Sequence, residues 1–140
     1  MDDKEFTILL KLGKSGHDFY STHDEVIKKY GYVDFARVGN KRASFPDEKG
    51  STIYIKESSR DGDRIFECEL GEKITVGEHY PSYYEEFSLE NAFWLRIVSL
   101  NIISKEDFIS RFCLRSGEEI KGLDRGMMSF FYIKEKTCIK

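Results

Sequence analysis

The feature that most constrains this fold is a hairpin. Thr52-Ile53-Tyr54-Ile55-Lys56 and Ile65-Phe66-Glu67-Cys68-Glu69-Leu70 are short runs rich in β-branched and aromatic residues. Between them lies Ser58-Ser59-Arg60-Asp61-Gly62-Asp63. Asp and Gly both tolerate positive φ, so this pair predicts a chain reversal with the two runs as antiparallel arms. On the second arm Phe66, Cys68 and Leu70 share one face and Glu67 and Glu69 the other, the alternation of a half-buried sheet.

Other elements extend the pattern. Residues 6–12 and 32–38 read as strands, and 93–100 as the strongest strand. Residues 127–133 form a final apolar strand. Thr22-His23-Asp24-Glu25 has capping-box spacing, which predicts a short helix starting at Thr22. Val26, Ile27 and Tyr30 would lie on its inner side, with Gly31 just past its end. Ser104 is the expected cap of a second helix, with Phe108, Ile109 and Phe112 on its apolar face. Residues 39–50 form a polar loop with Lys41, Arg42 and Lys49. Residues 117–126 are polar, with room for a helical turn, and residues 71–91 are a long, acidic, tyrosine-rich loop. The predicted order is β-α-β-β-β-β-α-β. Lacking regular β/α alternation, it implies an α+β fold: a small, mainly antiparallel β-barrel or curved sheet with flanking short helices.

Length and composition agree with one domain over 1–140. Eight Tyr, eleven Phe and one Trp are too many aromatics for a disordered chain. A domain of this size buries enough surface to need no disulfide or metal staple. Cys68, Cys113 and Cys138 are odd in number and widely spaced, which suits buried thiols in a reducing cytoplasm better than a disulfide framework or zinc site. The charged start Met1-Asp2-Asp3-Lys4-Glu5 lacks the apolar run of a signal peptide, and no stretch is long enough to span a bilayer. A cytoplasmic protein without membrane contact is expected. The net charge of −3 excludes nucleic-acid binding by bulk charge but not by local contact.

Catalytic patterns are sparse. His17-Asp18 and His23-Asp24 are six residues apart, and His79 is the only further histidine. They read as surface polar residues, with a small metal-dependent hydrolase built on His17, His23 and carboxylates as the minor alternative. Asp61-Gly62-Asp63 lacks the rest of a calcium loop, and the hairpin turn explains it. Glu67 and Glu69 share a strand face, as paired acids or as a solvated face would. With no phosphate loop, nucleophile elbow or Cys/His pair, neither a catalytic residue nor a cofactor is assigned.

The aromatics say more. Tyr80, Tyr83 and Tyr84 cluster ahead of Trp94, and Tyr32 and Phe35 flank Arg37. Tyrosines in a polar loop cannot all be core, and they suit stacking on a flat ligand. Lys41, Arg42, Ser58, Ser59 and Arg60 lie in loops that could contact phosphate.

The segment 31–39, the hairpin 51–70, Phe93-Trp94-Leu95-Arg96-Ile97 leading to Ser104-Lys105-Glu106-Asp107-Phe108, and the closing 125–131 together resemble the PUA-like superfamily, and within it EVE-type domains. The likeness is one of element order more than of invariant letters. It implies a small β-barrel with flanking helices that reads RNA or a modified DNA base through an aromatic pocket. Tyr32, Phe35, Arg37 and Trp94 are then the positional ligand candidates, joined by Tyr83, Tyr84, Ser58, Ser59 and Arg60. A tryptophan-rich opening, common in EVE domains, is missing, and the loop 72–90 is acidic. The alternative is therefore a protein-interaction domain, of an accessory or phage-encoded type, that docks through this loop.

Overall fold

The computed structural model describes residues 6–11, 18–37, 45–57, 64–86, 89, 92–120 and 130–136. The strands are β1 (Thr7–Lys11), β2 (Val33–Arg37), β3 (Thr52–Lys56), β4 (Arg64–Leu70), β5 (Phe93–Ser104), β6 (Phe112–Leu114) and β7 (Phe130–Glu135). The helices are α1 (Phe19–Tyr30) and α2 (Lys105–Arg111), with a 3-10 turn at Ser82–Glu86. The strands form one sheet in the order β2-β5-β4-β3-β1-β7-β6. Every neighbouring pair is antiparallel except β1 and β3. The fold is therefore α+β, and the arms of the expected hairpin pair with Ile55 opposite Phe66. The Asp61-Gly62 turn lies outside the described residues.

Alternation sorts the core onto two faces of this sheet. One face carries Ile8, Leu10, Ile53, Ile55, Phe66, Cys68, Leu70, Phe35 and Ile97, and α1 packs there through Phe19. The other carries Leu9, Tyr54, Ile65 and Ile133, covered by Phe108 of α2. The face under α1 is concave. In sheet order β7 stands five strands from β2, roughly 24 Å if the sheet were flat. Yet the Arg37 guanidinium of β2 lies 5.7 Å from the ring centre of Phe130 on β7. The sheet curls until these side chains touch, but among the described residues no ladder joins β2 to β6, so it is not a closed barrel.

The helix starts differ from the reading of Thr22 as a cap. Helix α1 begins a turn earlier, capped by Asp18, whose carboxylate accepts from the Ser21 amide at 3.0 Å. The earlier start lets Phe19 stack on Phe66 and meet Phe35 edge-on. The Thr22 hydroxyl instead donates back to the Asp18 carbonyl at 2.8 Å. Gly31 ends the helix at φ 89°, donating to the Ile27 carbonyl, while Tyr30 is 42% exposed rather than inward. Ser104 caps α2 as expected, accepting from Asp107 N at 3.0 Å.

Strand β5 runs on to Ser104, because Asn101–Ser104 find partners along Arg64–Glu67 of β4. Phe112 is not on the helix but opens β6, which pairs with β7. The closing strand is described from Phe130; residues 127–129, and the polar stretch from 121 on, lie outside the described residues, while Ile120 is buried. Cys68 and Cys113 are buried free thiols, with burial pushing the Cys68 thiol up; Cys138 is outside the described residues. No helix among the described residues is long and apolar enough to cross a membrane.

Candidate functional site

The tyrosine-rich loop is a strap around the edge strand β2. One of its contacts is a close approach of backbone to ring. A Cβ added at Gly77 would fall onto the Trp94 indole, so the chain there needs glycine for space, not for an unusual φ. Beyond Gly77 the strap meets Asp34, which is fully buried. One Asp34 carboxylate oxygen accepts from Glu78 N at 2.7 Å and from Arg96 Nη2 at 3.1 Å. The other accepts from Arg96 Nε at 2.8 Å. The Asp34 amide, on the open side of β2, donates to the His79 carbonyl at 2.8 Å. An edge strand exposes such amides, and the strap covers this one. Arg96 also lies 3.9 Å from the Tyr32 ring centre, and Tyr32 donates to Glu78 at 3.1 Å.

Past the edge, the strap reaches α1. His79 stacks on Tyr30 at 3.7 Å, and Tyr80 stacks on Tyr84. Tyr84 is buried, which pushes its hydroxyl well above the ordinary tyrosine range, and it meets His23 Nε2 at 2.5 Å. His23 Nδ1 is 2.8 Å from the Phe19 carbonyl. A carbonyl can only accept, so Nδ1 carries the proton and Nε2 accepts from the tyrosine hydroxyl. The Ala36 amide in turn donates to the Tyr84 oxygen.

This corrects one expectation. His23 is not a surface residue but a fully buried one, and burial pulls its pKa down to about 4. Both its ring nitrogens are engaged, which leaves none for a metal; His17 lies outside the described residues. Of the loop tyrosines, Tyr84 is buried, while Tyr80 and Tyr83 are half-buried. Substituting Gly77 should show how tightly the strap is packed. Gly77→Ala is expected to cost about 1–3 kcal/mol through overpacking against Trp94. Urea denaturation gives the cost, and near-UV circular dichroism of the single tryptophan reports the local change.

The candidate ligand residues are therefore dispersed. Phe35 and Trp94 are buried, Phe35 against Phe19 and Trp94 under Gly77 and Tyr80. Tyr32 and Arg37 flank opposite ends of β2, so they do not form one site. Ser58, Ser59 and Arg60, like Lys41 and Arg42, lie outside the described residues.

Arg37 is the candidate with company. It is half-buried, which pushes its guanidinium pKa down, and it crosses the concavity to Phe130. Phe93 stands opposite it on β5 and packs edge-on against Phe45 at 6.2 Å. Phe130 continues into Tyr132 at 5.3 Å, and Tyr132 into Phe6 at 5.6 Å. At the far end of this row Arg115 lies 3.8 Å from the Phe6 ring centre. All five rings are half-buried. Sequence reasoning missed Phe45, Phe93 and Phe130 as neighbours of Arg37, because only the curl of the sheet joins residues so far apart in the chain.

On the opposite face Tyr54 donates to Glu67 at 2.7 Å, and Arg111 reaches the same carboxylate at 3.2 Å. Glu67 is thus tied into a structural cluster, while Glu69 is exposed. Among the described residues no group of three His, Cys, Asp or Glu stands close enough to hold a metal ion. No protein-family model matches the chain, and no curated protein or solved structure matches it.

Proposed function

We propose that this domain is a non-enzymatic binding module that takes a base of RNA or of modified DNA, on a PUA-like fold of the EVE type. The observation that carries the reading is Arg37, its guanidinium set against Phe130 beside the half-buried Phe93 and Phe45. A cation on an aromatic shelf offers a flat base both a stacking surface and a hydrogen-bond donor. The curved, mainly antiparallel sheet with short flanking helices supports the fold part of this reading. A net charge of −3 means that binding depends on such local contacts rather than on an overall field.

Anisotropy of dye-labelled single-stranded RNA, plain DNA and modified DNA at low salt tests the proposal. Trp94 fluorescence is not the readout, because the indole is buried under the strap. At least one oligonucleotide should bind, and Arg37→Ala should weaken it about tenfold. Absence of binding by all three would refute the reading. A protein-docking role then gains weight, favoured by Val76, which is 69% exposed on a strap that also exposes Glu72, Glu78 and Glu85. In that case Val76→Lys should abolish capture of a protein partner.

A further inference from the structure

Beyond Arg37, the concave face carries a line of side chains along β7. Phe130 and Tyr132 pack on the core under α1, whereas Phe131 and Ile133 pack on the opposite face. Alternation therefore puts Lys134 on the concave side with Tyr132. The Phe130 and Tyr132 rings meet edge-on at 5.3 Å. Tyr132 meets Phe6, and Arg115 lies 3.8 Å from the Phe6 ring centre. Lys134 stands at this end, with Cys113 as its register partner on β6. Its ammonium has no hydrogen bond or ion pair among the described residues.

This line is open to solvent. At the centre of the concave face Ile53, Ile55, Phe66 and Cys68 are fully buried. Arg37, Phe130, Tyr132 and Lys134 are each half-buried instead. Strand β6 pairs with β7 only from Ile133 onward, so Phe130 borders the seam that Arg37 crosses. No ladder among the described residues closes that seam.

We infer that this line seats a single-stranded run of about three nucleotides, with Lys134 meeting a backbone phosphate. The inference rests on the base-binding reading and names the substrate class of that same site. Alternate residues of a strand stand about 7 Å apart, whereas bases of a duplex stack at about 3.4 Å. The rings are thus spaced for bases that are separated from one another, as in an extended single strand. A paired duplex keeps its base faces against their neighbours, where rings inside a concavity cannot reach them. A cation beyond the last ring supplies the phosphate contact that positions the strand without reading its sequence.

Isothermal titration calorimetry compares a mononucleotide, a trinucleotide and a blunt duplex, each in RNA, plain DNA and modified DNA. The trinucleotide should bind at least about tenfold more tightly than the mononucleotide, and the duplex no more tightly than the mononucleotide. Lys134→Gln should lose about tenfold in trinucleotide affinity at low salt and leave mononucleotide affinity unchanged. Its slope of log affinity against log salt should shrink by about 0.7, the value for one phosphate contact on a single strand. Lys134→Arg should keep both the affinity and the slope. A trinucleotide no tighter than the mononucleotide, or an unchanged salt slope in Lys134→Gln, overturns the inference and leaves the base-binding reading, which rests on Arg37, in place. A duplex that binds as tightly as the trinucleotide overturns it as well. Binding of none of the probes removes the base-binding reading and the inference with it.

Discussion

Asp34→Ala is expected to destabilise the domain by about 3–5 kcal/mol, the range for breaking a buried ion pair from one side. Three losses combine. The Arg96 guanidinium, 19% exposed, is left with Glu78 at 3.5 Å as its remaining ion-pair partner. The Glu78 amide loses its 2.7 Å acceptor and the His79 amide its longer one at 3.4 Å. At position 34 itself the strap then keeps the backbone bond from the residue 34 amide to the His79 carbonyl. Asp34→Asn should fall between, because its carbonyl oxygen can still accept from the strap amides while its amino group opposes Arg96. Urea denaturation measures both costs. Limited proteolysis gives an independent readout, since a loosened strap should be cut within residues 71–86 before the sheet unfolds. A cost near that of an ordinary surface substitution, below about 0.5 kcal/mol, would mean that Asp34 does not anchor the strap.

The strap also explains which parts of the fold were legible in the sequence. The hairpin arms, the Ser104 cap and the Gly31 helix end rest on local chemistry, so a short window of residues suffices to read them. Phe66, Cys68 and Leu70 alternate with Glu67 and Glu69 because strand periodicity is itself local. Tyr84, His23 and Asp34 behave differently. Each is polar in a stretch that local rules assign to the surface, and each is buried because a partner distant in the chain satisfies it. Tyr84 meets a histidine 61 residues away, and Asp34 meets an arginine 62 residues away. Periodicity says nothing about such partners. Tyr84 is the clearest case: a loop is polar on average, but this one turns that ring inward and its glutamates outward.

Arg37 was legible in type but not in setting. A cation flanked by aromatics on a strand suggests a ligand, yet the ring that meets it comes from β7 and its register partner is Phe93 of β5, neither of them on its own flanks. Tyr32 lies at the other end of β2 against Arg96, and Phe35 points into the core. Lys56, which is buried, was legible only as one more residue of a hairpin arm. Its burial depends on β1 lying parallel to β3, a pairing between strands separated by a helix and another strand, which no local pattern announces.

The His23–Tyr84 contact carries the second large effect, a loss of stability on mild acidification. In the folded chain burial lowers the imidazole pKa from the ordinary 6.5 to about 4. Between these values the unfolded chain binds a proton that the folded chain does not. Falling pH therefore favours unfolding across that window, and the full contribution is present only above about pH 6.5. The difference amounts to about 3 kcal/mol, lost as pH falls from 6.5 to 4, with no further loss from this residue below 4. Rotating the Tyr84 hydroxyl to accept from a protonated Nε2 would not restore it, because the charge would still lie among Phe19, Phe35, Tyr83 and Tyr84. Carboxylates also titrate near the acid end, so the comparison is made with His23→Gln, which does not titrate but keeps an acceptor for the tyrosine hydroxyl. Urea midpoints at pH 7, 6, 5 and 4 should fall more steeply in the wild type than in His23→Gln. Parallel slopes in the two proteins would show that His23 is solvated, contrary to its place between Phe19 and Tyr84.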